Sequence, residues 1–410
     1  MNITAVDPSK KTSESYSCPT PQKNKVFIAH IINGLYTGGA EMMLYKLLSQ
    51  MNRDQFEACV ITLIGGDSLK DRVENLGIKV YTLGMTRSNP SLAATIRLAK
   101  ILRQRPPALV QTWMYHSDLM GGVVAKLLTK APIVWNLQAS DIIHHPDNKT
   151  TWMTIKLCSF LSSGIPARII SCSEVACRLH AGLGYDKNKL LPIPNGVELL
   201  GFRPDPAARI ALRQELGLAP EVRLVGLVAR FHPQKDHHNF VQAAAHLHQI
   251  MPDIHFVLCG EDVTPNNQQL VEWISAAGLS NHCHLLGRRE DTPRINAAID
   301  VATLSSAFGE GFPNVLGEAM ACETPCVVTD VGDSGLIVGD TGVVVPPRDP
   351  AALAKGWQKI LQMNTEEKKA LGLAARRHVE EKFGLPSVVA RYEALYRDLL
   401  GLSSHLQQRD

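Results

Sequence analysis

The sequence of 410 residues lacks several features that would place it in other classes of protein. It contains no uninterrupted run of about 18 apolar residues, the length that a membrane-spanning helix needs. Its formal net charge is only +3, and it has no basic stripe interleaved with aromatic residues, so we expect no nucleic-acid partner. An apolar share of 45% and a charged share of 20% are typical of a globular protein with sizeable cores.

The cysteines lack the spacing of structural metal sites. They number nine, an odd count, and include no Cys-x2-Cys pair. Most lie in or beside apolar runs, so we expect buried free thiols in a reducing compartment. Residues 1–24 are polar and no apolar run begins before Val26, which predicts a disordered leader and not a signal peptide. Together these features predict a cytoplasmic protein.

Short apolar runs alternate with amphipathic stretches along the chain. Seven predicted strands fall within residues 25–198 and six more within 199–385, with helical segments between most of them. This alternation is typical of parallel sheets with helices on both faces. The turn Pro192-Ile193-Pro194-Asn195-Gly196 would stop the last strand of the first unit and mark a hinge. The sequence therefore predicts an α/β protein with two Rossmann-like domains, residues 25–198 and 199–385.

Residues 308–320 are the most informative stretch, because a glycine-bearing loop there runs directly into a predicted helix with Asn314 as its N-cap. The first N–H groups of a helix lack internal partners and lie at the positive end of its dipole, so they favour a phosphate. Gly311 has no Cβ to keep a ligand from the backbone. Glu310 and Glu318 would repel phosphate, so we expect them to face sugar and ribose hydroxyls. The stretch predicts a nucleotide-sugar site.

The phrase Glu-Gly-Phe-Pro-Asn-Val-Leu-Gly-Glu-Ala-Met, residues 310–320, resembles the donor loop of the retaining GT-B glycosyltransferases of family 4, also called glycosyl transferases group 1. The resemblance extends over residues 25–400 and is most specific in 224–348. It implies two Rossmann-like domains that face each other across a cleft. It also implies a C-terminal crossover helix and tail in residues 386–410, where the amphipathic pattern after Pro386 fits a helix that returns to the first domain.

By this resemblance the second domain binds the donor. Arg230 and Lys235 match the family's Gly-Arg…Pro-Gln-Lys-Gly phrase and would neutralise the diphosphate. Glu318 would hold the ribose diol, and Glu310 would bind sugar hydroxyls and stabilise the positive ring. The resemblance implies further donor-binding residues: Gly38, Gly39, Arg288, Gly311, Phe312, Pro313, Asn314 and Val315.

The first domain contributes a candidate catalytic residue, His116, which follows the predicted strand Leu109–Thr112. It matches a family histidine near the transferred sugar, so the catalytic set becomes His116, Glu310, Arg230 and Lys235. The segment Gly38-Gly39-Ala40-Glu41 resembles the family loop that lies against the donor phosphates and the acceptor.

The chain departs from the family pattern at three positions. Ala229 and Asp236 replace glycines that flank the arginine and the lysine of the diphosphate motif. Ala139 stands where many relatives carry a histidine before a Ser-Asp pair, and the nearby His144 and His145 are candidates to compensate.

The resemblance implies sugar transfer with retention from a UDP- or GDP-sugar to a saccharide or lipid-linked acceptor, in the assembly of cell-surface polysaccharide, lipopolysaccharide or glycolipid. The sequence contains no Asp-x-Asp tripeptide, the usual metal–diphosphate bridge of the other major glycosyltransferase fold, so we expect no metal ion and no other cofactor. We also expect peripheral contact with the inner membrane leaflet through Lys126, Lys130 and residues 152–157.

Two alternatives share this fold: a non-catalytic nucleotide-sugar-binding protein and a nucleotide-sugar epimerase. A non-catalytic binder would keep Arg230, Lys235 and Glu318 but could lose His116 and Glu310. All five are present, which favours an enzyme.

Overall fold

The fold is described from a computed structural model. The described residues are 25–36, 38–65, 68–85, 92–138 and 149–402. The predicted leader and the segment that contains Ala139, His144 and His145 lie outside the described residues.

Within these ranges the first sheet has seven parallel strands in the order β3-β2-β1-β4-β5-β6-β7. Its strands are β1 (Val26–Ile32), β2 (Phe56–Ile64), β3 (Lys79–Met85), β4 (Leu109–Trp113), β5 (Ile133–Leu137), β6 (Arg168–Ser171) and β7 (Leu190–Pro192). Its helices are α1 (Gly39–Gln50), α2 (Lys70–Glu74), α3 (Leu92–Gln104), α4 (Tyr115–Leu128), α5 (Lys149–Leu161) and α6 (Glu174–Gly182). The central strands β4 and β5 are buried along their whole length, as expected when helices cover both faces.

The second sheet has six parallel strands in the described part of the chain, in the order β10-β9-β8-β11-β12-β13. These are β8 (Leu224–Val228), β9 (His255–Cys259), β10 (Cys283–Leu285), β11 (Val301–Leu304), β12 (Cys326–Thr329) and β13 (Gly342–Val345). The helices are α7 (Pro206–Glu215), α8 (His237–Ile250), α9 (Gln268–Ala276), α10 (Thr292–Ala298), α11 (Asn314–Ala321), α12 (Ser334–Val338), α13 (Pro350–Leu361) and α14 (Thr365–Phe383). The two-sheet α/β prediction is confirmed.

The last helix, α15 (Leu385–Leu399), packs on the core of the first sheet. The ring of Tyr392 stacks on Trp113 at a centroid distance of 6.4 Å, and its hydroxyl accepts a hydrogen bond of 2.9 Å from Asn136 Nδ2. Tyr396 donates to Gln111 Oε1 of β4. The C-terminal helix therefore crosses back to the first sheet, as the resemblance implied.

The strand orders determine where a ligand can bind. In the first sheet β1 lies between β2 and β4, and in the second β8 lies between β9 and β11, so each sheet has a topological switch point there. Open parallel sheets bind ligands in the crevice at the carboxyl end of the switch-point strands. The turn after β6 contacts the loop after β12, so the two sheets present their carboxyl ends to each other.

The cysteines in the described part of the chain are free thiols, as expected. Eight of the nine lie in the described residues, where six are buried and two are half-buried, and none forms a disulfide. Cys18 lies outside the described residues.

Candidate active site

The switch point of the second sheet holds an ion pair between two predicted site residues. Lys235 follows β8, Glu310 follows β11, and Lys235 Nζ lies 2.5 Å from Glu310 Oε1. Ser306 Oγ donates to the same carboxylate oxygen at 2.5 Å. Glu310 is only 6% exposed, so its carboxylate is both buried and paired, and its assigned role at the sugar stays a prediction.

Hydrogen bonds between the two loops hold this pair in place. Gln234 Nε2 donates to the Gly309 carbonyl at 2.8 Å, and the Ala307 N–H donates to the Gln234 carbonyl at 2.9 Å. Ser305 Oγ donates to the Lys235 carbonyl at 2.7 Å. Because both backbones are fixed, Lys235 and Glu310 are positioned before any ligand arrives.

Helix α11 begins directly after the donor loop, which we define as residues 308–313. Its N-cap is Pro313, with no side-chain cap, and Asn314 is the first helical residue. The prediction of Asn314 as N-cap is therefore wrong by one position, because Pro313 already has the extended backbone that an N-cap needs. The N–H groups of Asn314 and Val315 have no acceptor within the helix and are open to an anion.

The other predicted residues of the donor loop differ in their surroundings. The Phe312 ring is 7% exposed and packs edge-on against Phe383, which anchors the loop to the domain core. Gly311 is half-buried and Pro313 is buried. Arg230 and Arg288 are exposed, on the loops after β8 and β10, where a guanidinium can turn towards a diphosphate. The roles assigned to these residues stay predictions.

Glu318 lies on α11 opposite a residue that the sequence did not single out, Lys46 of α1. Burial raises the pKa of Glu318, and the positive charge of Lys46 partly offsets this rise. Burial likewise lowers the pKa of Lys46, and the negative charges of Glu318 and Glu198 partly offset this fall. Lys46 Nζ also donates to the Gly196 carbonyl at 3.1 Å. The sequence offered one signal for Lys46: it lies among the apolar residues Met43, Leu44 and Leu47, which the structure shows to be buried.

His116 lies in the first turn of α4 and is exposed. Partial burial of the ring lowers the pKa of His116, which favours the neutral imidazole. The apolar pattern of residues 120–128 predicts a helix from Met120, but α4 begins at Tyr115, because the polar residues Ser117 and Asp118 are buried within it.

Strained backbone precedes His116. Met114 has φ 70° and ψ 157°, a conformation that non-glycine residues rarely adopt. Such strain is found preferentially at functional sites.

Gly38 and Gly39 occupy the same edge of the first sheet as His116. Gly38 is the N-cap of α1, and Gly39 is its first residue and exposed. A Cβ on Gly38 would lie 2.4 Å from the Glu41 carboxylate, the mobile end of a side chain that can turn away. The structure thus groups His116, Gly38 and Gly39 on one domain and Arg230, Lys235, Glu310 and Glu318 on the other, with Arg288 on a neighbouring loop.

Among the described residues, no group of three or more His, Cys, Asp or Glu side chains is placed to hold a metal ion. The expectation of a metal-independent reaction stays a prediction.

Comparison with known proteins identifies the family. The sequence model of the family "Glycosyl transferases group 1" matches residues 208–378, and that of the family "Glycosyltransferase Family 4" matches residues 37–199. The chain belongs to the family 4 glycosyltransferases of the GT-B fold. It is therefore a transferase, and the epimerase and the non-catalytic binder are disfavoured.

Individual glycosyltransferases are similar to this chain. The chain is 24% identical over 324 residues to an Escherichia coli enzyme named UDP-Gal:alpha-D-GlcNAc-diphosphoundecaprenol alpha-1,3-galactosyltransferase, covering 77% of this chain and 82% of that one. It is 33% identical over 178 residues to the D-inositol 3-phosphate glycosyltransferase of Mycolicibacterium gilvum (strain PYR-GCK), covering 41% and 38%. The crystal structure of Anabaena Alr3699/HepE with UDP superimposes with a TM-score of 0.79 at 22% identity, over 91% of this chain and 100% of that one, which shows the GT-B fold.

The described residues of this family 4 enzyme include no helix that is long and apolar enough to cross a membrane.

Proposed function

We propose that this glycosyltransferase moves a sugar from a UDP-sugar to an acceptor hydroxyl with retention of the anomeric configuration. The observation that carries the proposal is the Lys235–Glu310 pair beside the open N-terminus of α11. It combines a cation for the leaving diphosphate with a carboxylate for the sugar ring. The choice of UDP as the nucleotide is supported by two similar proteins. Alr3699/HepE has been crystallised with UDP-glucose, and the Escherichia coli relative is named for UDP-Gal.

The main chemical task is to stabilise negative charge on the leaving β-phosphate oxygen. Preorganised cations and backbone N–H groups do this without rearranging during the reaction. Lys235, Arg230 and the first N–H groups of α11 would supply them. The acceptor hydroxyl would then attack the anomeric carbon on the face that the diphosphate leaves, as the resemblance to retaining enzymes implies.

Glu310 and His116 would act on the sugar. The Glu310 carboxylate would accept hydrogen bonds from sugar hydroxyls and stabilise the positive charge that develops on the ring. The neutral His116 imidazole can donate or accept a hydrogen bond at a sugar hydroxyl. Glu318 would hold the ribose diol.

The test is release of free nucleotide from a panel of UDP-, GDP- and ADP-sugars, with and without a bacterial lipid extract. Wild type is expected to turn over a UDP-sugar, and Glu310→Ala to lose on the order of 10²–10³ in kcat. Glu221→Ala is the matched control, since this exposed glutamate precedes β8 at the opposite edge of the same sheet.

The possible outcomes separate the parts of the proposal. Turnover of a GDP- or ADP-sugar, with no turnover of any UDP-sugar, would overturn the choice of UDP as the donor nucleotide. A product with inverted anomeric configuration, read from the proton coupling constant by NMR, would overturn retention. Binding of UDP-sugars without any turnover, in the presence of lipid extract and saccharide acceptors, would contradict the proposed reaction.

The acceptor is proposed to be lipid-linked, because one outer surface of the first domain combines exposed apolar side chains with positive charge. This α3–α5 surface is formed by three adjacent helices that contain six Lys or Arg residues and one acidic residue, the buried Asp118. Its exposed apolar side chains are Leu92, Ile96, Leu127, Trp152, Met153, Leu157 and Phe160. Helices with this composition bind the interface of anionic membranes.

Flotation with vesicles tests the contact. Wild type is expected to float with vesicles that contain phosphatidylglycerol and less with neutral vesicles, and the double variant Met153→Asp/Phe160→Asp is expected to stay behind. Ile210→Asp is the control, because Ile210 is an exposed apolar residue on α7 of the other domain. Equal flotation of wild type and the double variant would contradict membrane contact through this surface.

A further inference from the structure

One carboxylate joins the two domains without lying among the predicted donor or acceptor residues. Asp333, 5% exposed, follows β12 in the second domain. Its Oδ2 accepts from the Glu174 N–H at 2.8 Å and its Oδ1 accepts from the Val175 N–H at 3.0 Å. Both N–H groups belong to the first turn of α6, in the first domain.

The contact is not ordinary capping within one helix. Asp333 is the N-cap residue of α12, yet its side chain makes no cap hydrogen bond to that helix. Helix α6 has its own cap, because Ser173 Oγ accepts from the Ala176 N–H at 3.0 Å. The first three N–H groups of α6 are thus satisfied by two domains, and a negative charge from the second domain lies at the positive end of a first-domain helix.

Asp333 is also bound to the donor loop. Its N–H donates to the Gly311 carbonyl at 3.1 Å. The preceding Gly332 has φ 64°, and a Cβ there would lie 2.2 Å from the Glu310 carbonyl oxygen. The Gly332–Asp333 segment therefore packs directly on the backbone of Glu310 and Gly311. A shift of Asp333 relative to α6 would move the donor loop with it.

We propose that Asp333 is an interdomain latch that fixes the donor loop against the first domain by holding the N-terminus of α6. Asp333 is a positioning residue: both oxygens of its carboxylate are bound to α6, and it acts through the Glu310–Gly311 backbone. Its effect on turnover rests on the proposed function, whereas its effect on domain arrangement does not.

One of the two N–H donors that bind Asp333 can be removed by substitution. Glu174 is the first residue of α6, where proline is favoured, and Ser173 before it has the extended backbone (φ −154°, ψ 156°) that a residue preceding proline adopts. Glu174→Pro therefore deletes one N–H donor and leaves the helix intact. Glu174→Ala is the matched control, since it removes the same side chain, including its 3.6 Å ion pair with Arg178, but keeps the N–H.

Small-angle scattering of the full chain, alone and with saturating UDP as the probe, measures the arrangement directly. Asp333→Ala and Glu174→Pro are expected to give a larger radius of gyration than wild type. Glu174→Ala and Asp330→Ala, an exposed aspartate three positions before Asp333, are expected to match wild type. Equal radii for all five proteins would overturn the latch, whether or not any sugar donor is turned over.

Kinetics with the active UDP-sugar supply a second readout. Because most of the proposed donor contacts lie on the second domain, Asp333→Ala should change the Kd of UDP less than about threefold, while kcat falls on the order of 10²-fold through misplacement of the donor loop. If Asp333 only stabilised the fold, Asp333→Ala would lower the Tm but would not lower kcat selectively while the Kd of UDP stays nearly the same. An unchanged kcat, or a loss of UDP affinity that equals the loss of kcat, would overturn the proposal.

Discussion

Lys235 and Glu310 lie 75 positions apart in the sequence, yet their charged atoms lie 2.5 Å from each other at the ends of neighbouring strands. Each provides the opposite charge that the other needs in a largely buried place. A diphosphate that binds Lys235 would compete for this contact. Donor binding is therefore expected to free the Glu310 carboxylate for the sugar.

Removing the lysine should leave a buried charge without its partner. Lys235→Met is expected to lower the free energy of unfolding by about 3 kcal/mol, because the buried Glu310 carboxylate loses its counter-charge and, among the described residues, keeps only the Ser306 hydrogen bond. Adding Glu310→Gln should restore most of that stability but no activity. Urea denaturation measures both variants. An unchanged denaturation midpoint for Lys235→Met would show that Glu310 gains little from the pair.

Glu318 should cost stability at neutral pH, because burial raises its pKa above that of the unfolded chain. The folded protein then holds this proton to higher pH, so stability falls as pH rises through the raised pKa. Glu318→Gln is expected to raise the Tm at pH 7, to change it little below about pH 4, and to weaken UDP-sugar binding. The control is Glu366→Gln, an exposed site on α14. If the Tm difference between Glu318→Gln and wild type does not vary with pH, burial of the Glu318 charge is not its cause.

The hydroxyl of Tyr392 should contribute to the docking of α15. Tyr392→Phe leaves the buried Asn136 amide without this acceptor and is expected to lower the free energy of unfolding by about 1–2 kcal/mol. Tyr392→Ala also removes the ring stacked on Trp113 and should cost about 4 kcal/mol. Tyr81→Phe on the edge strand β3, where the ring is half-buried, is the control. If Tyr392→Phe and Tyr81→Phe unfold alike, the hydroxyl does not stabilise the docked helix.

Four histidines pack together near the amino ends of β9 and β10, away from the site. His255 Nδ1 lies 3.0 Å from His284 Nε2, and the rings of His248 and His282 lie 4.2 Å apart. Burial and then the neighbouring histidines lower the pKa of His255 to about 4, with Asp253 opposing the shift.

This histidine cluster should make the protein sensitive to acid. Since the folded-state pKa of His255 is depressed, its contribution to stability is present above about pH 6.5 and is lost as pH falls towards 4. His284→Gln is expected to reduce the fall in Tm between about pH 7 and pH 5. His246→Gln, on the exposed side of α8, should leave that fall unchanged. The same fall in Tm for both variants would exclude the cluster as its cause.

Local sequence was sufficient for much of the fold. Short β-branched apolar runs are buried on both faces of a parallel sheet, and four of them predict strands with the bounds that β1, β6, β11 and β12 show: Val26–Ile32, Arg168–Ser171, Val301–Leu304 and Cys326–Thr329. The donor loop was found for a similar reason: a helix N-terminus that can bind an anion is encoded by adjacent residues. The turn Ser171-Cys172-Ser173-Glu174 likewise predicts Ser173 as the cap of the helix that follows, and Ser173 is the N-cap of α6.

Boundaries at polar residues were less predictable. The start of α4 was placed five residues too late, because the burial of Ser117 and Asp118 depends on neighbours far away in the sequence. The N-cap of α11 was placed one residue too late, because Pro313 already has the extended backbone of an N-cap.

The sequence alone therefore determined the α/β class, the strand-end loops and the family of the chain, since each depends on residues next to one another. Only the tertiary structure showed that Glu310 is buried against Lys235, that Lys46 faces Glu318, and that Asp333 binds α6 across 159 positions. These contacts join residues from separate loops or separate domains. No local pattern encodes them, because the partner that satisfies each buried charge is chosen by how the strands are ordered and how the two sheets meet.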